Sequence, residues 1–269
     1  MARRWTIPEE KFYRTQLHEL YVIQNLPIEK IAKKLCIGNS TVYDRMIRLG
    51  ITPTPERKPN YLKKRKDIRI PARYTADLAE FFGIMLGDGN LTKSQIKVTL
   101  GTKEMKYAKY ITLLFKNIFG PTPKIAIRKS EYKDVYIGSV DLVRWLQNEG
   151  LIFNKVSKQV SAPKWINGSD IYQKRFLRGF FDTDGSIYKL RYGHQISFRN
   201  ESIPLLLSLQ DALKQLHYKP SEITCGKIYL TRKDDIVRFF REISPKNPKH
   251  LERFRKFCVD DRVVKCSAL

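Results

Sequence analysis

One nine-residue pattern occurs twice in this chain: Phe81-Phe82-Gly83-Ile84-Met85-Leu86-Gly87-Asp88-Gly89, and then Leu177-Arg178-Gly179-Phe180-Phe181-Asp182-Thr183-Asp184-Gly185. Both copies read as apolar helical turns with small residues at the third and seventh positions. Positions four apart share a helix face, so Gly83 with Gly87, and Gly179 with Thr183, each make a smooth strip. Two such strips predict a helix pair that meets at close backbone distance.

The Asp-Gly that ends each copy carries a chemical expectation. Gly89 and Gly185 suit the left-handed residue that stops a helix, which puts Asp88 and Asp184 at helix C-terminal ends. A carboxylate there faces the negative end of the macrodipole, unfavourable by roughly 0.3–1 kcal/mol unless a cation is present. Parallel packing of the two helices would bring Asp88 and Asp184 together. The expectation is two hard-metal sites built from oxygen ligands, with Gly87 and Thr183 included in the metal set, an arrangement suited to cutting phosphodiesters.

FFGIMLGDG and LRGFFDTDG resemble the two signature helices of the LAGLIDADG homing endonucleases, in the single-chain form that carries both. The first copy has Leu86 where many members have an acid, and the second keeps Asp182 there. The family's metal-binding acid is the eighth motif position, here Asp88 and Asp184, so this departure spares the expected site. The resemblance implies an α+β fold of two pseudo-symmetric αββαββα halves and Mg²⁺- or Mn²⁺-dependent double-strand cleavage of a long asymmetric DNA target, as in intron homing. It also implies cutting across a minor groove with short 3′ overhangs, by a monomer. A lysine after the last helix of each half helps at the family's active site; Lys158 and Lys246 are the nominees here, with Lys155 and Lys249 close by.

Charge supports a polyanionic partner. Lys and Arg number 51 against 27 Asp and Glu, a formal net charge of +24, which predicts DNA or RNA as the partner without separating the two; the resemblance implies double-stranded DNA, with intron RNA as a second. The four cysteines form no C-x-x-C pair and the four histidines are scattered, so zinc and a disulfide framework are disfavoured. No run approaches the ~18 apolar residues of a membrane span, and the N-terminus lacks the apolar core of a signal peptide. A soluble protein of the cytoplasm or nucleoid is expected. An intein is disfavoured, because splicing residues are absent from both ends. A non-cleaving DNA-binding regulator and an intron RNA splicing cofactor are the alternatives to the nuclease.

Residues 1–50 read as three helices, over Leu17, Leu20 and Tyr21, over Ile28–Leu35, and from an Asn39 or Ser40 cap to about Leu49. Their order resembles a helix-turn-helix, whose third helix would offer Asn39, Ser40, Thr41, Tyr43, Asp44 and Arg45 to a major groove. Residues 51–71, with prolines and a cluster of Arg and Lys, read as a basic linker. The two halves then occupy 72–165 and 166–269, the second with a basic C-terminal tail, and the paired acids are 96 residues apart.

Strand alternation separates a helix-facing side from a polar one. Ile96, Val98 and Leu100 oppose Gln95, Lys97 and Thr99; Ile196 and Phe198 oppose Gln195, Ser197 and Arg199; Ile228 and Leu230 oppose Lys227, Tyr229 and Thr231. With Arg128, Lys189 and Arg191, the polar set forms the expected DNA saddle, where such side chains read base edges.

Overall fold

In the computed structural model the residues described are 5–52, 67–127, 131–153, 155, 159–191 and 193–260. The chain divides into two compact units, Met1–Arg65 and Lys66–Leu269.

In the first unit, helix α1 (Ile7–His18) starts at a capping box in which the Thr6 amide donates to Glu9 Oε2 at 2.7 Å. It widens at its end into a turn over Glu19–Ile23, closed by Gln24 N donating to Glu19 O. Helices α2 (Ile28–Lys34) and α3 (Asn39–Arg48) follow, and Leu17, Tyr21, Ile28, Ile31, Val42 and Met46 form a small core. The residue before α3 is Gly38, and no side chain caps that helix. Neither Asn39 nor Ser40 is the cap, because the helix already includes both.

The second unit is built around α4 (Ala76–Leu86) and α7 (Asp170–Asp184). Thr75 caps the first by accepting from Leu78 N, and Ser169 caps the second by accepting from Ile171 N. Each helix buries residues all round, as an element enclosed on every side must; Leu78 to Leu86 of α4 are all buried. A Cβ built on Gly83 would fall inside the contact radius of the Phe176 carbonyl oxygen and 2.8 Å from Phe180 N; one on Gly179 would meet the Glu80 carbonyl oxygen and lie 2.9 Å from Ile84 N. The strips therefore pack backbone to backbone, and the 96-residue offset holds for every partner.

Gly89 and Gly185 correct the expectation of left-handed stops. Gly185 is extended, at φ −88° and ψ 163°, and Gly89 is outside the positive-φ set as well. The strands start there at once, and the chain doubles back over its own last helical turn. A Cβ on Gly89 would lie 2.8 Å from the Met85 carbonyl carbon, and one on Gly185 2.7 Å from Phe181 Cα. Close approach, rather than a left-handed dihedral, requires glycine at both places.

Strands β1 (Gly89–Leu91), β2 (Gln95–Gly101), β3 (Lys124–Ile127) and β4 (Tyr132–Gly138) form an antiparallel sheet in the order β1-β2-β4-β3, with α5 (Met105–Phe119) and α6 (Val140–Asn148). Helix α6 begins directly after β4, because Ser139 Oγ accepts from Leu142 N and caps it. The second half gives β5 (Gly185–Leu190), β6 (Gly193–Arg199), α8 (Ile203–Gln215), β7 (Lys227–Leu230) and α9 (Lys233–Glu242), with sheet order β5-β6-β7 among the described residues.

In the second half, the strand that the αββαββα order requires directly after α8 is reduced to one bridge between Thr224 and Lys227. Cys225 and Gly226 both have positive φ, which spends the segment on a tight turn. Part of the expected basic tail is also a helix, α10 (Pro248–Asp260), which buries Phe254 and Phe257 at helical spacing. Both sheets turn their apolar side to the helices, so the fold is α+β, with each half in the αββαββα order apart from that missing strand.

Candidate metal and nucleic-acid site

Asp88 lies just beyond α4 and Asp184 is the last residue of α7. Asp88 is close enough to act on the Asp184 carboxyl. Burial and then the neighbouring Asp88 push the Asp184 carboxyl up, against Lys155, an Asn200 hydrogen bond and Lys249, to about 6. Asn200 Nδ2 donates to Asp184 Oδ2 at 3.0 Å. Asp88 reaches solvent, yet the protein around it displaces enough water to raise its pKa, against Lys249 and Lys155. Two carboxylates that resist ionisation side by side form a site that gains from a hard cation.

Gly87, the residue after α4, fits against Thr183, whose Oγ1 donates to Gly179 O and Phe180 O at 3.1 and 2.9 Å. The Thr183 side chain thus serves the helix contact. At the end of α4, Lys155 Nζ donates to the carbonyl oxygens of Met85 (3.1 Å), Leu86 (3.0 Å) and Gly87. Burial lowers the Lys155 pKa, while Asp184 and Asp88 act to raise it.

The second lysine of the site is Lys249, whose Nζ lies 3.0 Å from Glu104 Oε1. Glu104 also accepts from Asn247 Nδ2 at 2.8 Å and, through Oε2, from Gly101 N at 3.0 Å. Burial opposes its charge, but these donors together hold its pKa below the ordinary carboxylate value.

Of the two nominated lysines, Lys158 lies outside the described residues. Lys246 is exposed: its ammonium donates to Ser244 Oγ at 3.5 Å, and its amide, not its side chain, serves Asp182 Oδ2 at 2.8 Å. Among the described residues, Lys155 and Lys249 are the ammonium groups that act on the acids. A signal for them was present, because each stands seven residues beyond the helix that follows its half's last strand, α6 ending at Asn148 and α9 at Glu242, with Lys249 in the first turn of α10. Glu104 and Asn200 were readable too, since 104 + 96 = 200 puts them at matching positions.

The donor set can be tested against a hard divalent ion. Among the described residues no group of three or more His, Cys, Asp and Glu side chains is placed to hold one metal. Two separate carboxylates at the ends of two helices fit an ion that keeps several waters and takes its remaining ligands from phosphate, as Mg²⁺ does. Gly87 can contribute its carbonyl only where Lys155 now sits.

On the outer faces of the sheets, Gln95 is exposed and Gln195 receives its neighbour Tyr188, its Nε2 donating to the phenol oxygen. Ser197, Arg199, Lys227 and Tyr229 share that side, with Ser197 opposite Tyr229 and Arg199 opposite Lys227; Ser197 is buried there, covered by its neighbours, and Arg199 also pairs with Glu201 at 3.4 Å. Lys97 and Thr99 converge on Asp134 of β4: Thr99 Oγ1 donates to Oδ1 at 2.7 Å, and Lys97 Nζ lies 3.9 Å from Oδ2. Thr231 is exposed just past β7, and Arg191 is exposed in the turn after β5. Lys189 falls on the opposite side from the expected one, because it pairs across from His194 in the row of Ile187 and Ile196. Arg128 lies outside the described residues.

On α3, Ser40 and Asp44 are exposed and Asn39, Thr41 and Tyr43 half-buried. Arg45 is buried, with its guanidinium 3.6 Å from the centre of the Trp5 ring. It packs inside its own unit instead of facing a groove.

Residues 172–244, which hold the second motif copy, match a family described as "LAGLIDADG-like domain". The chain carries a LAGLIDADG-like domain. Over 117 residues it is 35% identical to a replication factor C small subunit of Methanocaldococcus jannaschii, a stretch that is 43% of this chain and 6% of that relative. The chain thus spans only a small part of the curated relative's length.

Among solved structures, the N-terminal LAGLIDADG domain of DUF199/WhiA superposes with a TM-score of 0.46 at 18% identity, over 65% of this chain and 86% of that one. I-DmoI in complex with DNA and Ca gives 0.46 at 15%, over 67% and 97%. I-SmaMI bound to uncleaved DNA target in the presence of calcium ions gives 0.45 at 15%, over 72% and 95%. No helix among the described residues is long and apolar enough to cross a membrane.

Proposed function

We propose that this LAGLIDADG-type protein is a DNA endonuclease that cuts both strands of a long asymmetric target with Mg²⁺ or Mn²⁺. The observation that carries the reading is the meeting of Asp88 and Asp184 at the ends of two helices in glycine contact, with two lysines beside them. A bound divalent ion supplies an activated water and neutralises phosphate charge. The chain's own groups do the rest. Asp88 and Asp184 hold the hard ligand, Asn200 fixes the orientation of Asp184, and Lys249 adds positive charge beside the phosphate path. The outer-face residues Gln95, Gln195, Ser197, Arg199, Lys227 and Tyr229 bind the duplex, with the overall charge of +24 drawing it in. Because the two halves are not identical, the target need not be palindromic.

The test is incubation of the full chain and Mg²⁺ with a randomised duplex library, followed by sequencing of the cut ends. A defined asymmetric cut site is expected. Retention of a defined sequence without any cut in Mg²⁺ or Mn²⁺ would leave a non-cleaving DNA-binding protein.

The first unit acts, in this proposal, as a helix-turn-helix that lengthens the target through Ser40, Thr41 and Tyr43. Removing residues 1–66 is then expected to shorten the footprint and flatten the salt dependence of binding while cutting persists. Equal footprints with equal salt slopes would remove the helices from DNA binding.

A further inference from the structure

Two lysines in matching positions, Lys155 and Lys249, are used differently. Lys249 is held on the Glu104 carboxylate at 3.0 Å. Lys155 instead donates to three successive carbonyls, those of Met85, Leu86 and Gly87. The reason lies in how the two central helices end. Helix α7 runs through to Asp184, whose carboxylate is occupied by Asn200. Helix α4 stops at Leu86, and the carbonyls of Met85, Leu86 and Gly87 take the Lys155 ammonium, whereas on α7 the carbonyl matching Leu86, that of Asp182, accepts from the neutral Asn247 Nδ2 at 3.0 Å. An ammonium is the natural side-chain partner for that negatively polarised end.

Gly87 is the residue before Asp88, and the ammonium that its carbonyl holds is within the influence of both Asp184 and Asp88. A hard ion that used the Gly87 carbonyl would stand against an ammonium already bound to it. The two cations repel, and the carbonyl cluster accommodates one of them.

We propose that Lys155 is the resident cation of the α4 end, and that a divalent ion reaches the Gly87 carbonyl by displacing it. This deepens the proposed metal-dependent reading and rests on it: the chain carries its own counter-ion, which keeps the paired acids and the helix end compensated until metal arrives. Metal binding is then an exchange of one cation for another. The metal affinity in the absence of DNA is consequently set by Lys155 as well as by Asp88 and Asp184.

The experiment is calorimetric titration of the full chain with Mn²⁺, without DNA, comparing wild type with Lys155→Met and Lys249→Met. Either substitution removes one positive charge near the acids, so general electrostatics alone would tighten Mn²⁺ to a similar degree in both. Displacement predicts that Lys155→Met tightens Mn²⁺ by about tenfold and clearly more than Lys249→Met does.

Melting gives a second readout. Lys155→Met is expected to melt below wild type without metal, and saturating Mn²⁺ is expected to close the gap. Lys155→Gln, which keeps a donor for the carbonyls and loses the charge, serves if the Met variant does not fold, and an affinity between those of wild type and Met is expected of it. Equal tightening by Lys155→Met and Lys249→Met, or a Lys155→Gln affinity equal to wild type, overturns the displacement while leaving the metal site standing. Failure of wild type and every variant to bind Mn²⁺ at millimolar concentration overturns the displacement together with the metal reading.

Discussion

Across the α4–α7 contact the two halves are near copies, and around it they are not. Gly83 lies against Phe176 and Phe180, and Gly179 lies against Glu80 and Ile84, each pair shifted by the same 96 residues. The polar groups break that symmetry. Glu80, fully buried on α4, sits 3.0 Å from Arg175 Nε and 3.5 Å from Arg178 Nη1 of α7, and accepts from the Tyr110 hydroxyl. Its matching position on α7 is the apolar Phe176. Asp182 on α7 is fully buried and accepts from the amides of Lys246 and Asn247 at 2.8 and 3.0 Å, whereas its counterpart is Leu86.

Backbone approach tolerates only one solution and is therefore shared by both halves. Buried charges can be placed on either side, and here α4 supplies the acid that α7's guanidiniums complete. Such a network makes α4 and α7 complementary to each other and poor partners for a second copy of themselves.

The largest expected effect tests the shared part of the site. Asp88→Asn and Asp184→Asn are each expected to lower double-strand cleavage by more than about 10³-fold, the loss of several kcal/mol of transition-state stabilisation, while DNA binding persists. Cutting at the parental rate by the double variant would detach the carboxylates from the chemistry. Next come Gly83→Ala and Gly179→Ala, each expected to destabilise the second unit by about 3 kcal/mol, because a Cβ meets backbone that cannot swing away. Urea unfolding measures this, and markedly unequal losses would show that the contact is less symmetric than its distances.

A smaller effect tests the asymmetric part. Glu80→Gln keeps the shape and removes the charge facing Arg175 and Arg178, with an expected loss of about 2 kcal/mol. Pairing it with Arg178→Met should return much of that loss in a double-mutant cycle. Strict additivity would mean that the two groups do not interact.

The smallest effect concerns pH. The Asp184 carboxyl is raised by burial and by Asp88 from an ordinary 3.8 to about 6. Between these values the folded protein holds a proton that the unfolded chain has released, so metal-free stability falls as pH rises from about 4 to about 6 and then levels off. Asp184→Asn lacks that penalty. It should melt above wild type at pH 7 and converge with it below pH 4; a gap that does not change with pH would place the effect outside this carboxyl.

Much of this was legible in the sequence. The glycine strips, the two Asp-Gly ends, the 96-residue repeat and the strand alternation follow from steric size and from periods of 3.6 and 2, which are local properties of a chain. Those rules identified the central helix pair and the inward faces of β2, β6 and β7. They also misjudged Gly89 and Gly185, because a glycine demanded by close approach and one demanded by a left-handed dihedral look the same in a sequence.

Tertiary structure decided the partners. Which lysine reaches the acids depends on where α6 and α9 end and how the chain returns: Lys249 stands where Lys246 was expected, and in the first half Lys155 is beside the acids while Lys158 lies outside the described residues. Asp134 draws Lys97 and Thr99 together only because β2 and β4 are neighbours in register. Arg45 stacks on Trp5 because α3 turns that face inward. Sequence determines which side chains can exist at a position, through their size, charge and period. The electrostatic setting of Asp88 and Asp184 is a sum over groups 16 to 161 residues away, from Asn200 beside Asp184 to Lys249 near Asp88. Only the folded chain brings those groups within reach.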